Sequence, residues 1–414
     1  MPFMQDGQER NGALGARPLG PSTLTRRQAL TAGLVAAGAA TLGPARAMAF
    51  ERAAPALTPR ALDAEIETLM RTGKIPGLSA AVIRGHDLPW TGAYGHANVW
   101  KGVPVRRDTL FMLASVSKTF ICTAVMQAVE DGLFGLDDDV NGLLPFPVRT
   151  PQHPGDAISV RQLLTHTSSI RDRWPVWDDL YAQGDSPIPL GTFLQGYLVP
   201  GGEDYLEENF LSKKPGSVYR YSNIGAALAA FVVEAVSGVG FDVWCRDRIF
   251  GPLGMTRAGW HLADVPADAV ALPYRWSDRT NRYVTYGQYG YPDYPDGALR
   301  TTAPQLARHM RMMMHTGLWQ GERVLRASTV REIFRSQVPG LTVGQGLIWY
   351  RVHTGGRALI GHDGGDKGVA TAAFFDPAED IGVVVLANAN WRRVQGRWPL
   401  QQIMNLLFDR AAEL

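Results

Sequence analysis

Phe111-Met-Leu-Ala-Ser115-Val-Ser-Lys118-Thr-Phe-Ile-Cys-Thr-Ala-Val-Met-Gln-Ala-Val-Glu130 is the stretch on which the fold turns. Apolar residues (Phe120, Ile121, Ala124, Val125, Ala128, Val129) occupy most of its helical circumference, so the spacing predicts a helix over 115–130 inside a core. Asp131-Gly132 is the stop signal. Ser115 and Lys118 stand three apart at its start, which places a hydroxyl and an amine on one face. A neutral serine is a poor nucleophile until a base adjoins it, and a lysine serves once burial lowers its pKa. The chain has six lysines, and chance would give about 0.2 such Ser-x-x-Lys pairs. A serine cap followed by an outward-reaching lysine is the competing structural explanation, so the motif needs companions.

The rest of the chain supplies a frame. An amphipathic helix carries Leu62, Ile66, Leu69 and Met70 and ends at Gly73. Leu78–Ile83 and Pro89–Tyr94 read as a hairpin about Arg84-Gly-His-Asp87. Helical spacing then dominates, with helices expected at Val160–Leu164, Asn223–Ser237, Phe241–Phe250, Pro304–His315 and Ser328–Ser336. Beyond them the period falls to two, and Gly346–Val352, Ala358–His362, Val369–Phe375 and Ile381–Ala387 read as consecutive strands before a closing helix at Pro399–Ala412. Two early strands are too few to stand alone, so they should join the four late ones. The expected fold is α+β: an antiparallel sheet flanked by N- and C-terminal helices, with an inserted all-helical lobe. The expected division is a sheet lobe from 50–108 and 336–414, and a mostly helical lobe from 109–335. A cleft between the two is the natural place for a site.

Composition narrows the function. At 414 residues, 45% hydrophobic and 19% charged, the chain can bury a large core. Residues 1–49 hold five arginines, and without them 36 basic residues face 37 acidic ones, so nothing favours nucleic acid as a partner. Thr25-Arg26-Arg27-Gln28-Ala29-Leu30 and the Ala/Gly-rich run to Gly43 resemble a twin-arginine export signal, with Ala45-Arg-Ala47 and Ala47-Met-Ala49 as cleavage candidates. That run is too short and too weakly apolar to span a bilayer, so an exported, periplasmic protein with no membrane span in its mature part is expected. Cys122 and Cys245 fall on apolar helices and read as small core residues, though an oxidising compartment would permit pairing. The nine histidines show no metal-ligand spacing, and neither a metal nor a cofactor is expected.

Two further segments carry chemistry. Pro215-Gly-Ser-Val-Tyr-Arg-Tyr221-Ser222-Asn223-Ile-Gly225 runs into the helix at 223, and presents a phenol and an amide beside it. Asn223 is also a natural N-cap. Leu359-Ile-Gly-His362-Asp363-Gly364-Gly365-Asp366-Lys367-Gly368 is a strand with glycines at its edge, where a substrate can approach the backbone and the Ser115 and Gly365 amides can form an oxyanion hole. His315-Thr-Gly317, His353-Thr-Gly355 and Lys214-Pro-Gly216 share its His/Lys-x-Gly pattern but not its position on a strand followed by another strand.

Ser-x-x-Lys, Tyr-x-Asn and a later His/Lys-x-Gly, in this order, resemble the class C β-lactamases, the low-molecular-weight penicillin-binding proteins and the β-lactamase-type esterases. Leu163-Leu-Thr-His-Thr-Ser168, Phe250-Gly-Pro-Leu-Gly-Met255 and Gly361-His-Asp-Gly-Gly365 extend the likeness over about 60–390. The resemblance implies a β-lactamase/transpeptidase-like fold and a serine hydrolase working through an acyl-enzyme. Ser115 would be the nucleophile, Lys118 and Tyr221 a coupled base, Asn223, His362 and Gly364 substrate-binding, and the Ser115 and Gly365 amides the oxyanion hole. The substrate would be a small ester or amide. Where such relatives carry Lys-Thr-Gly this chain reads His362-Asp363-Gly364, which is poorly built to attract a carboxylate and favours an esterase. The alternatives are a D-Ala-D-Ala carboxypeptidase, a β-lactamase, or a penicillin-binding receptor that acylates without turnover. Gly-x-Ser-x-Gly is absent, which removes the α/β-hydrolases. Ser169 stands where relatives usually have glycine, and His166 reads as a structural, hydrogen-bonded residue. Two long loops, Arg171–Arg220 with Trp174, Trp177 and Tyr181, and Tyr283–Tyr294 with five tyrosines, should roof the cleft, either pinned to the surface or lining an apolar pocket.

Overall fold

A computed structural model describes residues 59–173 and 179–414. The N-terminal segment read as an export signal, and Trp174 and Trp177, therefore lie outside the described residues. Five helices position what matters: α1 (Pro59–Gly73), α2 (Lys118–Glu130), α3 (Asn223–Ser237), α4 (Ala303–Met314) and α5 (Pro399–Arg410). The main sheet has seven strands: β1 (Gly77–Arg84), β2 (Asp87–Asn98), β3 (Val103–Pro104), β4 (Tyr350–Thr354), β5 (Arg357–Asp366), β6 (Val369–Asp376) and β7 (Ile381–Ala387).

Their order is β4-β5-β6-β7-β1-β2-β3, antiparallel throughout, so the early hairpin does complete the late meander. The join is β1 on β7, with Leu78 opposite Ala387 and Val82 opposite Val383. These central strands are buried on both faces because both faces are covered. Ala80 and Val82 of β1 and Val383 and Val385 of β7 pack with Leu62 and Ile66 of α1 and Ile403, Met404 and Leu407 of α5. The alternate residues Ala81, Ile83, Val384 and Leu386 belong to the core shared with α2, α3 and α4. With both faces covered, β1, β6 and β7 are almost continuously apolar, and successive residues enter the two cores in turn.

The segment between β3 and β4 carries α2, α3, α4 and shorter helices, together with brief strands such as Tyr274–Ser277 paired with Arg282–Thr285. α2 and α3 are enclosed on nearly every side, and α3 stops at Gly238 with φ +70°. Cys122 and Cys245 are both free and buried. Among the described residues no single helix is long and apolar enough to cross a membrane.

Two departures from the expected boundaries bear on the site. The strand expected at Gly346–Val352 begins at Tyr350. Leu347 N–H instead donates to Ile333 O and Ile348 N–H to Leu164 O, and Ile348 takes φ +62°, so the inserted segment claims these apolar residues. The helix expected from 115 starts at Lys118, preceded by a 3₁₀ turn over Ala114–Ser117.

Candidate active site

Ser115 sits on that 3₁₀ turn, 5% exposed. Leu113, just before it, is tied on both sides: its N–H donates to Leu299 O at 2.8 Å, and its carbonyl accepts from Thr371 Oγ1 of β6 at 2.7 Å. These ties hold Ala114 at φ +46°, a left-handed conformation an alanine adopts only under constraint. In a 3₁₀ turn the side chains at i and i+3 eclipse, which brings Lys118 over Ser115. Lys118 Nζ lies 3.1 Å from Ser115 Oγ and donates to Asp296 O at 2.7 Å. It is fully buried, and that desolvation pushes its pKa below the ordinary lysine value, against an opposing pull from Asp296, Asp172, Asp293 and Asp366.

Tyr221 closes the other side. Its ring centroid is 5.2 Å from Lys118 Nζ, and its hydroxyl is buried with no partner in hydrogen-bond geometry among the described residues. Burial raises the phenol well above its usual pKa, while the neighbouring Ser115 hydroxyl draws it down. His166 packs on Tyr221 with ring centroids 4.3 Å apart, and its Nδ1 accepts from Ser222 N–H at 3.3 Å, in keeping with a structural role. Burial first and Lys118 second keep it uncharged. Ser169 takes φ +64°, the backbone state that favours glycine, and its hydroxyl donates to Lys213 O.

Asn223 is not the N-cap. Ser222 fills that place, with Oγ accepting from Gly225 N–H at 2.9 Å, and Asn223 is the first residue of α3. The reason is Asp172, which the sequence reading missed. Its carboxylate accepts from Ser222 Oγ, from the N–H groups of Asn223 and Ile224, and from Asn223 Nδ2 at 3.0 Å. An anion at a helix N-terminus meets unsatisfied N–H groups and the positive end of the helix dipole.

β5 forms the third wall. A Cβ at Gly364 would lie 2.4 Å from Thr371 Oγ1, 2.5 Å from Leu113 O and 3.0 Å from Ser115 N, so this strand is pressed against the Ser115 turn. The Gly364 carbonyl accepts from Trp391 Nε1 at 2.6 Å, and the indole lies where a Gly365 side chain would project. The turn Lys367-Gly368 closes on the pair Asp366–Val369, and the ladder alternation from that pair turns the Gly365 N–H away from β6. β4 pairs with β5 no further than Gly361, leaving that side open. His362 is buried with Nδ1 2.5 Å from Asp363 O, its ring 6.3 Å from that of Tyr221. Burial, reinforced by Lys118, lowers its pKa to about 3. Asp363 points to the opposite side of the strand, where the Tyr350 hydroxyl donates to Oδ1 at 2.5 Å.

The structure thus brings Ser115, Lys118, Tyr221, His362 and the Gly364-Gly365 backbone together, with Asn223 anchored beside them. The tyrosine-rich loops are pinned: Tyr181 donates to Asp366 at 2.6 Å, Tyr289 to Lys367 O at 2.8 Å, and Tyr289 and Tyr291 are buried. Besides Asp172, the reading from sequence did not find Asp293, Asp296, Tyr350 or Trp391. No group of His, Cys, Asp and Glu suited to a metal ion occurs among the described residues.

The Beta-lactamase family model matches residues 62–403, and the chain belongs to that family. Penicillin-binding protein 4 of Amycolatopsis lactamdurans is 27% identical over 335 residues, which span 76% of this chain and 81% of that protein. Among solved structures, EstCE1, described as a hydrolase with promiscuous acyltransferase activity, superposes with TM-score 0.65 at 22% identity over 84% of this chain and 99% of its own. The D-amino acid amidase of Ochrobactrum anthropi SV3 does so with TM-score 0.66 at 18% identity, covering 85% and 99%. The fold is the β-lactamase/transpeptidase-like one, shared with the hydrolase and the amidase just named.

Proposed function

We propose that this chain is an exported serine hydrolase that cleaves small, uncharged carboxylic esters through an acyl-enzyme on Ser115. The observation that carries it is a fully buried amine 3.1 Å from a serine hydroxyl, with a buried phenol against both. Ser115 Oγ attacks the ester carbonyl and its proton passes to the Lys118–Tyr221 pair. The oxyanion is held by the Ser115 and Gly365 N–H groups. Collapse expels the alcohol, which takes the proton from the pair. A water then attacks the acyl group with the same pair as base, and Ser115 is restored. Asn223, fixed by Asp172, and the Gly364 strand edge hold the acyl portion.

The preference for an uncharged ester rests on charge. His362 is held neutral where a cation would be needed to grip a carboxylate. A penicillin or a D-Ala-D-Ala terminus would bring an anion that no imidazolium at 362 is there to receive.

One panel with pure protein tests the reading: p-nitrophenyl acetate and butyrate, nitrocefin, a D-Ala-D-Ala peptide, and a fluorescent phosphonate label with Ser115→Ala as control. Multiple turnovers on the esters and labelling lost in Ser115→Ala are expected. Faster nitrocefin or peptide turnover overturns the ester preference, and a stoichiometric burst without turnover makes the protein a receptor. Export through the segment at Arg26-Arg27 is tested by N-terminal sequencing of the native protein, expected to begin shortly after Ala47 or Ala49.

A further inference from the structure

The group on which Lys118 leans is unusual. Its amine donates to the backbone carbonyl of Asp296, at the end of the short turn Tyr294–Asp296, and the Asp296 N–H closes that turn on Asp293 O at 3.0 Å. A Cβ at the next residue, Gly297, would touch the Tyr291 hydroxyl and come within 3.5 Å of Ala114, so the turn is pressed onto the one that carries Ser115. Asp293 is 0% exposed, and its side chain lies beside the carboxyl of Asp296, itself 5% exposed. Backbone contact alone would be served by any residue at 296. Two buried acids behind one buried amine are a separate feature, which the ester-cleaving mechanism above does not use.

We infer that Asp296, backed by Asp293, acts through its charge on Lys118 and thereby sets the pH range in which Ser115 is armed. This rests on the hydrolase reading above. An ionised carboxyl at this place favours the Lys118 ammonium and a protonated one does not, so the state of Asp296 shifts the pH at which Lys118 gives up its proton. In a dry site the neutral pair avoids two buried charges, so it competes with the ion pair in a way it would not in water. Burial raises Asp296 to about 7, with Lys118 pulling the other way, and lifts Asp293 well above the ordinary carboxylate range. The other titratable groups facing this pair and Lys118 are Asp172, Asp366, Tyr221, Tyr181 and Tyr291, with His166 and His362 on the far side of Lys118. Asp293 and Asp296 are positioning residues: they act through the amine and touch no substrate.

The test is the pH dependence of phosphonate labelling of Ser115, in the native chain, in Asp296→Asn and in Asp293→Asn, with kcat and KM for a neutral p-nitrophenyl ester and for one bearing an ammonium group. Taking away the carboxylate removes the charge that favours Lys118 ammonium. The acid limb of the labelling rate should therefore move to lower pH, by about half a unit or more in Asp296→Asn and by less in Asp293→Asn, with KM for the neutral ester unchanged. An unmoved limb in folded variants overturns the proposal. A KM that rises for the ammonium ester alone, with the limb in place, overturns it in favour of a cation-binding role. Loss of the fold in both isosteric variants makes the pair purely structural and overturns it as well. A native chain unlabelled at every pH defeats the hydrolase reading itself, and this inference with it.

Discussion

Asp172 Oδ2 accepts from both the backbone N–H of Asn223, at 2.8 Å, and its side-chain amide, at 3.0 Å. One carboxylate therefore fixes the start of α3 and the direction of the amide offered to the acyl group, while Tyr221 sits two residues earlier on the same segment. Replacement by Ala leaves the Asn223 and Ile224 N–H groups without their acceptor and frees the amide. Asp172→Ala should lose about 1–3 kcal/mol of stability by urea unfolding, and Asp172→Asn less, since it keeps one acceptor oxygen. In both, kcat/KM for esters should fall mainly through KM, because the Ser115–Lys118 contact lies on a different element.

Tyr350 serves β5 in a similar way from β4. Its hydroxyl donates to the Asp363 carboxylate and accepts from the Asp363 N–H at 3.1 Å. This turns Asp363 away from the cleft and fixes the strand between His362 and Gly364. Tyr350→Phe removes both bonds and should cost about 1–3 kcal/mol in urea unfolding.

Gly364 is a glycine for want of room. Any Cβ there meets Thr371 Oγ1, Leu113 O and the Ser115 amide, and the last two belong to backbone that has nowhere to go. Gly364→Ala should displace the Ser115 turn and reduce the phosphonate labelling rate about 100-fold or more, the scale of losing one oxyanion donor. Circular dichroism should show that the sheet survives. A labelling rate within about threefold of the native one would mean that the turn and strand are not as tightly joined as the distances say.

What the chain disclosed before folding and what it withheld divide by sequence distance. The Ser115–Lys118 and Tyr221–Asn223 relations are three and two residues long, so local spacing displays them. The sheet shows itself through short apolar runs bounded by turn residues at β6 and β7, and both flanking helices through their apolar stripes. A 3₁₀ turn and a helix place i and i+3 alike, so the start at Lys118 rather than 115 has no local sign. Ser222 and Asn223 are both capping residues, and only Asp172, fifty-one positions away, decides between them. Asp293 and Asp296 sit in a loop with no periodicity, where an aspartate normally marks a solvated turn. Their burial follows from Tyr289, Tyr291 and the Ser115 turn closing around them, a tertiary event that no window of sequence contains.

A buried histidine remote from the catalytic groups gives the acid behaviour of the fold a specific origin. His309 of α4 stacks on Phe120 of α2 with centroids 3.9 Å apart, and its Nε2 is 2.9 Å from Thr123 Oγ1. Burial lowers its pKa from 6.5 to about 3. The native state thus refuses a proton that the unfolded chain accepts at 6.5, so the stability His309 contributes is present above that pH and is lost as pH falls toward 3. By pH 5 the loss from this one group is about 2 kcal/mol. His362 and His166 add losses of the same sign, whereas Asp296, raised to about 7, acts in the opposite sense over the same range, so the native profile is a sum. The variant His309→Gln isolates the single term: it keeps a polar partner for Thr123 and cannot take up a proton. Urea unfolding at pH 7 and pH 5 should show the native chain losing about 2 kcal/mol more than the variant between the two. Equal losses would mean that His309 is already protonated in the folded state, which the dry stack on Phe120 does not permit.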